Sequence, residues 1–190
     1  MNRQSALEIV KKQLNQSRYE HTIRVTDVAL KLAEHYQVDQ KKVEMAAIFH
    51  DYAKYRDKSE MQRIITYSNL PKDLLGYHPE LWHGPVGAML VRQEVGIEDA
   101  EVLNGIYWHT TGKVHMSMIE KIVFLADYIE PERDFPGLDE VRKQAWQNLD
   151  KACFLALQNI ISFLAGRQQL IYPDTVHAYN YFNTKTRGVD

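Results

Sequence analysis

Apolar residues recur along this chain at the three- and four-residue spacing that is typical of amphipathic helices. Leu7 and Val10 begin the pattern near the N-terminus, and no segment shows the alternation of β-branched residues that would indicate a strand. No internal repeat, low-complexity tract or long linker interrupts it. The pattern predicts one all-α domain over residues 1–190, with a core at about 17–135 and C-terminal helices at about 138–187 packed on that core.

Capping residues predict where several of these helices begin. A capping box has a serine or threonine before the first turn and a glutamate or glutamine three residues later. Such boxes start at Ser17, Ser59 and Ser117, and Asp39 has the residue type and position of another N-cap. Gly166 is the expected C-terminal cap of a later helix, because glycine tolerates the left-handed conformation found there.

One apolar helical stretch, residues 43–51, ends in the adjacent pair His50 and Asp51. Neighbouring side chains on a helix point about 100° apart, so this pair can serve the same ion or adjacent ions. A buried carboxylate without a partner is costly, and metal ions are its natural partner. The alternative is a helix end where both side chains simply reach solvent, since short motifs often match by chance.

Further segments place histidine or aspartate where a buried or cleft position is expected, and each has a structural alternative. His21 could be a hydrogen-bonded core histidine, and His83 could cap a helix. His109 could complement a helix dipole, and Asp127 could pair with Arg133. Together with the histidine–aspartate pair, these residues favour a shared metal centre over coincidence.

The ligand types indicate which ions would suit such a centre. The candidates are His21, His50, Asp51, His83, His109 and Asp127. Nitrogen and carboxylate oxygen without thiolate suit iron, manganese, cobalt or catalytic zinc. Six side chains are too many for one open catalytic ion, but they suit two ions that share a bridging carboxylate, for which Asp51 is best placed. A two-metal site can activate a water and hold phosphate oxygens for in-line displacement.

Five strings around these positions occur in a specific order. They are RYEHT at 18–22, HDYAK at 50–54, HGPVGA at 83–88, YWHTTG at 107–112 and LADYIEPER at 125–133. The strings resemble the HD-domain metal phosphohydrolases, an all-α superfamily. Within its dinuclear branch they are most similar to the YqeK-type symmetrical bis(5'-nucleosyl)-tetraphosphatases of bacteria. The resemblance covers the chain from about Ser17 to Asn180.

The resemblance implies a helical bundle with a dinuclear metal site in its core cleft. It implies two divalent or mixed-valence transition-metal ions, with iron expected first and manganese, cobalt or zinc as other possibilities. One ion would be held by His21, His50, Asp51 and Asp127, and the other by Asp51, His83 and His109. The implied reaction is hydrolysis of diadenosine tetraphosphate to two ADP by a metal-activated water.

Four further residues are candidates for contact with the substrate. Lys54 lies three residues after Asp51, so on a continuing helix the two would share a face. Arg133 could bind a polyphosphate bidentately, and Lys54 and Arg133 are therefore catalytic candidates beside the bridging Asp51. Arg24 and Thr110 are candidates for substrate binding. A solvated surface position is the alternative for Lys54 and Arg24.

Composition and charge indicate which partners and which cellular compartment to expect. The formal net charge of −2 gives no support for nonspecific nucleic-acid binding. Cys153 is the single cysteine, which fits a reducing cytosol. The N-terminus lacks the apolar core of a signal peptide, and the best apolar run, Ile122–Ile129, is too short to span a bilayer. We therefore expect a cytoplasmic protein with a small nucleotide substrate, no nucleic-acid or membrane partner, and a homodimer as one possible assembly.

Two other functions remain open on the residues alone. Another HD-family phosphohydrolase could act on a nucleoside mono-, di- or triphosphate or on an alarmone with the same metal site. A non-catalytic nucleotide-sensing module would be expected to have lost a ligand, and no ligand position is missing here. The aromatic residues near the C-terminus, Tyr179, Tyr181 and Phe182, could dock on a partner or pack in the core.

Overall fold

The computed structural model describes residues 1–188, which form ten α-helices and no β-strand. The helices are α1 (Arg3–Lys11), α2 (Gln16–His35), α3 (Gln40–Phe49), α4 (Lys58–Tyr67), α5 (His83–Leu90), α6 (Ala100–Trp108), α7 (Met118–Ile129), α8 (Leu138–Ala145), α9 (Leu149–Gly166) and α10 (Pro173–Arg187). Short 3₁₀ segments lie at Lys72–Gly76 and Pro79–Leu81, and a π-helical turn at Val91–Val95 follows α5. The predicted all-α class is confirmed. The predicted domain, residues 1–190, includes residues 189 and 190, which lie outside the described part.

Helix α7 lies at the centre of the molecule. Its residues 119–126 are all buried, including Glu120 and Lys121, which form ion pairs with Lys113 and Asp150. It packs against α2, α3 and α6 on one side and against α8 and α9 on the other. Helix α9 in turn packs against α10, so the C-terminal helices join the remainder of the fold through α7 and α9. The end of α7 therefore delivers Asp127 to the middle of the bundle.

Two of the predicted helix starts are confirmed. Asp39 caps α3, with its carboxylate accepting from the backbone N–H groups of Lys41 and Lys42. Ser117 and Glu120 form a complete capping box at the start of α7. In both cases the cap satisfies N–H groups that the first turn of a helix leaves without partners.

The other two predicted helix starts are each wrong by two residues. Asn15 caps α2 in place of Ser17, because the Asn15 side chain accepts from the backbone N–H of Arg18. Asp57 caps α4 in place of Ser59, because its carboxylate accepts from the backbone N–H groups of Ser59 and Glu60. In both cases an acceptor two residues upstream caps a helix that begins earlier than predicted, so each serine lies in the first turn of its helix.

The end of α9 also differs from the prediction. The helix does end at Gly166, but Gly166 is its last helical residue and Arg167 is its C-cap. The left-handed conformation lies at Gln168, with φ of 54°. The chain beyond Gly166 turns back, and α10 then extends over 15 residues rather than forming the short final helix that the sequence indicated.

Helix α9 is the longest apolar stretch of the chain, which corrects the choice of Ile122–Ile129. With a mean hydropathy of 1.2 over 18 residues, it is the one helix in residues 1–188 that is long and apolar enough to cross a membrane. Core helices of soluble proteins meet the same criterion. The first turns of α9 are of this kind, because Leu149, Cys153 and Leu157 are buried in the core. Its last turns are less covered.

The aromatic residues of α10 pack against the body of the protein. Phe182 is fully buried, and the ring of Tyr179 stacks on that of Phe154 with 5.4 Å between centroids. The ring of Tyr181 lies 4.5 Å from that of His115. Core packing therefore accounts for these side chains without an external partner.

Candidate metal centre

The six predicted ligands meet in one cluster although they come from five segments of the chain. His21 lies in α2, His50 and Asp51 follow α3 directly, His83 is the first residue of α5, His109 follows α6 directly and Asp127 lies near the end of α7. The four histidines and Asp51 are buried, and Asp127 is partly exposed. Most of the ligands thus come from helix ends, where the chain can direct a side chain toward the bundle centre.

Asp51 is at the middle of this cluster. Its Oδ1 lies 3.0 Å from Nε2 of His83 and 3.8 Å from Nε2 of His109. Its Oδ2 lies 3.1 Å from Nε2 of His50 and 3.8 Å from Nε2 of His21. The two carboxylate oxygens therefore face two different pairs of imidazole nitrogens, which is the arrangement that a bridging ligand needs.

Asp127 completes the side of the cluster that contains His21. Its Oδ1 lies 3.0 Å from Nε2 of His21 and 2.9 Å from Nη2 of Arg133. The pairing with Arg133, foreseen as the structural alternative for Asp127, is thus present together with the contact to the histidine. The carboxylate of Asp127 therefore contacts both a predicted metal ligand, His21, and the guanidinium of Arg133.

Two compact groups of three residues have ligand atoms that all lie within 4.8 Å of one another. They are His21, His50 and Asp127 in one group, and His50, Asp51 and His109 in the other. His83 is absent from the second group, although the resemblance implied it there. Its Nε2 nevertheless lies 3.0 Å from Nε2 of His109 and 3.0 Å from Asp51. His83 is therefore part of the cluster by direct contact.

All four histidines present Nε2 to the centre because Nδ1 already has a partner. Nδ1 contacts the carbonyl three residues earlier in His50 (Ala47, 2.7 Å), His83 (Glu80, 2.5 Å) and His109 (Ile106, 2.7 Å). A carbonyl can only accept, so in these three rings Nδ1 carries a proton and Nε2 is the nitrogen that the neutral ring offers to a metal ion. In His21, Nδ1 lies 3.2 Å from a carboxylate oxygen of Glu130. Such partners are typical of metal-ligating histidines.

The donor atoms of this cluster fit metal ions. Nε2 of His21, Nε2 of His50 and both oxygens of Asp51 are buried, and within residues 1–188 their close polar neighbours do not form hydrogen bonds of good geometry with them. Nε2 of His83 and Nε2 of His109 face each other at 3.0 Å, where two lone pairs would repel. Buried acceptors without a donor are costly, and cations between them remove that cost. Nitrogen and oxygen donors without sulfur suit iron, manganese, cobalt or catalytic zinc.

The charges within the cluster favour the ligand forms of two of its members. Burial opposes ionisation of Asp51, but His50 and His83 outweigh it and hold the pKa of this carboxyl well below its usual range. Burial and the neighbouring His83 and His50 lower the pKa of His109 well below the ordinary imidazole value. Metal ligands must be deprotonated, so an ionised Asp51 and a neutral His109 are already suited to bind.

Two glycines allow the helices to approach closely enough to form the cluster. A Cβ on Gly84 would lie 2.7 Å from the backbone oxygen of Tyr107, at the contact between the start of α5 and the end of α6. A Cβ on Gly105 would lie 2.9 Å from Cβ of Ala46, at the contact between α6 and α3. Real Cβ atoms essentially never approach so closely. The glycines therefore bring together the helix ends that carry the histidines.

Comparison with known proteins agrees with this geometry. The family model of the HD domain matches residues 18–132, a range that contains all six predicted ligands. This chain belongs to the HD-domain family. It is 49% identical to the symmetrical bis(5'-nucleosyl)-tetraphosphatase of Bacillus subtilis, over 95% of this chain and 97% of that protein. The protein of the same name from Halalkalibacterium halodurans is 54% identical, over 95% of this chain and 96% of its own length.

A solved structure shares the fold of this HD domain. The crystal structure of a predicted HD superfamily hydrolase involved in NAD metabolism, from Clostridium acetobutylicum, matches with a TM-score of 0.91 and 35% sequence identity. The match covers 97% of this chain and 98% of that one. The α8–α10 region is therefore shared with a relative of known structure along with the histidine-bearing core.

A cleft beside the histidine–aspartate cluster is lined by Lys54, His83, His109 and Asp127. Lys54 lies in it although the local structure differs from the helix that the sequence predicted. Helix α3 ends at Phe49 and residues 50–55 form turns, so Lys54 does not share a helical face with Asp51. Its side chain nevertheless lines the cleft, and its Nζ lies 2.6 Å from a carboxylate oxygen of Glu80. The cleft has a volume of about 210 Å³. Lys54 therefore lies in the cleft with Glu80 as its partner, and its contact with phosphate stays a prediction.

The other three candidates for substrate contact differ in whether they line the cleft. Thr110 lines it, and its hydroxyl oxygen is buried without a hydrogen-bond partner in the described chain. Arg133 does not line it but contacts Asp127, which does. Arg24 is not among the residues that line the cleft, and its guanidinium instead pairs with Glu130 at 2.8 Å and with Glu132 at 2.9 Å.

Sequence reasoning missed two charged residues of the HD-domain centre, Arg18 and Glu130. Nε of Arg18 contacts Oδ2 of Asp51, and although burial lowers the pKa of Arg18, Asp51 and Asp127 raise it above its usual value. Glu130 is buried, receives a hydrogen bond from Arg24 and faces Nδ1 of His21. Each lies three residues from a predicted ligand along or beside the same helix, a spacing that could have drawn attention to both.

Proposed function

We propose that this protein hydrolyses diadenosine tetraphosphate symmetrically and releases two ADP. The observation that carries the proposal is Asp51, whose two carboxylate oxygens lie near different pairs of histidine Nε2 atoms. A bridging carboxylate of this kind suits a pair of metal ions that act on one phosphate. The relatives named for this reaction are 49% and 54% identical over nearly their full length, which supports the same substrate here.

The proposed cofactors are two transition-metal ions, with iron first and manganese, cobalt or zinc also compatible with the donor set. Their ligands would be His21, His50, Asp51 and Asp127 for one ion, and Asp51, His83 and His109 for the other. When bound, such ions supply Lewis acidity and lower the pKa of a water enough to make it a nucleophile near neutral pH.

The residues of the chain bind and orient the polyphosphate in this proposal. Nζ of Lys54 donates to a phosphate oxygen once the substrate displaces Glu80 as its partner. Arg133 is held beside the cleft by its contact with Asp127 and offers a planar pair of donors to phosphate. Positive groups placed where the departing ADP gains charge stabilise the transition state more than the ground state. The hydroxyl of Thr110 can fix the orientation of the bound nucleotide.

We place this activity in the cytoplasm, on a soluble nucleotide. The free thiol of Cys153 is buried, and burial raises its pKa, so it is unreactive and fits a reducing compartment. No contact with nucleic acid or membrane is needed for the reaction. A homodimer remains compatible with the fold.

Product analysis in labelled water tests the proposal. Protein purified without oxygen and supplied with metal is incubated with diadenosine tetraphosphate, and the products are separated by chromatography. We expect ADP alone, with the labelled oxygen on the terminal phosphate of one of the two molecules. AMP together with ATP would contradict symmetric cleavage. Activity restricted to a different nucleotide would favour another HD-family phosphohydrolase, and the Asp51→Ala variant serves as the inactive control.

A further inference from the structure

A second cavity opens beside the metal cleft. Its volume is about 440 Å³, within the range that holds small organic ligands. The end of α9, the 3₁₀ segment Pro79–Leu81 and residues 169–172 form its walls. Apolar side chains from these segments line most of it, among them Phe163 and Leu164.

This cavity is continuous with the cleft. Leu81, Thr110, Ile160 and Glu80 line both of them. Three of the predicted metal ligands, His83, His109 and Asp127, line the cleft, so the two spaces form one depression with a charged end and an apolar end. A ligand with phosphates at the charged end would extend its uncharged part into the second cavity.

The apolar end is left uncovered by the described chain. Phe163 is 56% exposed and Leu170 is 68% exposed. Exposed large apolar side chains that cluster beside a polar cleft indicate a binding surface. The hydroxyl oxygen of Thr110, at the junction of the two spaces, is buried without a partner within residues 1–188 and points independently to a ligand there.

We propose that this second cavity is a nucleoside groove, in which one nucleoside of a nucleoside 5'-polyphosphate lies while its phosphates contact the histidine–aspartate cluster. The residues that line the nucleoside groove include Leu81, Thr110, Ile160, Phe163, Leu170 and Tyr172. The inference rests on the proposed function, because it takes a nucleotide as the substrate. It adds the place where the chain recognises the nucleoside rather than the phosphates.

The chemistry of the groove matches a nucleobase. A base has apolar π-faces that stack on aromatic rings and polar edges that take hydrogen bonds. The ring of Phe163 supplies such a surface, and the guanidinium of Arg167 lies over this ring with 4.5 Å to its centroid. His78 and Gln169, which also line the groove, supply polar groups for the base edge or the ribose. Few polar groups on an apolar lining are typical of a site that orients a small ligand.

The groove is tested by titration calorimetry on the metal-loaded protein with two probes, ADP and inorganic pyrophosphate. Phe163→Ala and Leu170→Ala should each weaken ADP binding by about tenfold, because stacking and apolar contact with the base are lost. Pyrophosphate should bind all three proteins equally, since it reaches only the metal cleft. Tyr67→Ala, at an 86% exposed aromatic position on α4 outside the groove, is the matched control and should bind both probes like wild type.

The possible outcomes separate the groove from its alternatives. Unchanged ADP affinity in both groove variants would overturn the proposal, as would an equal loss of pyrophosphate affinity. If sedimentation showed that Phe163→Ala dissociates a dimer while ADP affinity stays unchanged, the surface would be an interface between copies. If the groove variants lose ADP affinity but wild-type protein releases no ADP from diadenosine tetraphosphate, the groove is upheld and the proposed reaction fails.

Discussion

The four histidines of the HD-domain centre differ in the partner of Nδ1, the ring nitrogen that faces away from the cluster. In His50, His83 and His109 this nitrogen donates to a backbone carbonyl, which side-chain substitution cannot remove. His21 instead faces a side chain, Glu130, which also receives a hydrogen bond from Arg24. The orientation of His21 is therefore the one that a single substitution can disturb.

Glu130→Gln should weaken the binding of the metal ion held by His21 by about tenfold to a hundredfold, because the carboxylate that orients the ring is lost. Metal affinity measured by competition with a chelator would check this. Glu132→Gln is the matched control, since Glu132 is exposed, pairs with the same Arg24 and does not contact His21. Equal affinities in wild type and Glu130→Gln would show that the contact does not position the ligand.

Lys54→Ala should lower kcat/KM for diadenosine tetraphosphate by roughly tenfold to a thousandfold with metal content unchanged. The ammonium lies in the cleft, and its partner Glu80 is itself 59% exposed, so the substrate can displace the pair. Steady-state kinetics together with metal analysis would measure the effect. Lys58→Ala, at an exposed lysine four residues further on, should have wild-type kinetics. If both variants behave alike, Lys54 is a surface residue without a role in the reaction.

At the scale of helices, the site depends on close contacts between elements. The start of α5 meets the end of α6 at Gly84, where no side chain fits, and this contact places His83 beside His109. Helix α3 meets α6 at Gly105 in the same way. The relative positions of the helices that carry the predicted ligands therefore depend on the absence of a side chain at these two glycines.

Gly84→Ala should therefore separate α5 from α6 and reduce the metal content toward one ion per chain, with a loss of about 1–3 kcal/mol in the free energy of unfolding from overpacking. Denaturant titration and metal analysis would check both effects. Gly76→Ala is the matched control, since a Cβ there meets nothing within 4 Å. Retention of two ions in Gly84→Ala would show that the close contact is not required.

A second group of contacts ties the C-terminal helices to the centre. Asp150 of α9 lies 2.6 Å from Nζ of Lys121 in α7 and 2.9 Å from Nζ of Lys185 in α10. Burial raises the pKa of Asp150, but the two lysines outweigh it and hold this pKa below the ordinary value of 3.8. Because the folded pKa is the lower one, the ionised group stabilises the fold above pH 3.8, and this contribution is lost as pH falls through the folded pKa.

Asp150→Asn should lower the free energy of unfolding by about 1–3 kcal/mol at neutral pH, because it leaves the nearly buried Lys121 without a charged partner. The difference from wild type should shrink as the pH falls below about 4, where Asp150 becomes protonated in the unfolded chain, and should be lost as the pH falls through the lower folded pKa. Denaturant titrations across this range would measure it. Asp139→Asn is the control, since Asp139 is fully exposed and lies 3.7 Å from its nearest cation. A difference that persists unchanged in acid would rule out the ion pairs as the cause.

For the whole molecule, the metal centre links segments that are far apart in the chain. Its predicted ligands extend from His21 to Asp127 and come from α2, α5 and α7 and from the ends of α3 and α6. Ions bound there would cross-link most of the core. Binding to the folded state alone stabilises a protein in proportion to the logarithm of ligand excess.

Removal of metal by a chelator should therefore lower Tm by about 5–10 °C, which corresponds to about 2.7 kcal/mol at a hundredfold excess over Kd for a chain of this size. Thermal unfolding followed by circular dichroism, with and without the chelator, would measure the shift. The Asp51→Ala variant, which lacks the bridging carboxylate, should show no response to the chelator. An unchanged Tm in wild type would mean that metal does not bind the folded protein preferentially.

Much of the local architecture was predictable because it depends on neighbouring residues. The three- and four-residue periodicity predicted an all-α fold, and the caps at Asp39 and Ser117 were placed correctly. Ser17 and Ser59 were not, because a short-range rule cannot decide between acceptors that lie two residues apart. The identities of the six predicted ligands were also local information, contained in the strings around them.

The sequence alone determined the helical class and the chemical types of the predicted ligands, since residue type and spacing are local properties. Only the tertiary structure decided that the two oxygens of Asp51 face different histidine pairs and that Lys54 reaches the cleft from a turn. It also decided that Glu130 meets His21 across 109 positions of chain. Such contacts arise from helix packing, in which glycine positions and helix ends set distances between distant segments. These distances cannot be read from the hydrophobic periodicity of a single helix, because that periodicity reports only on neighbouring residues.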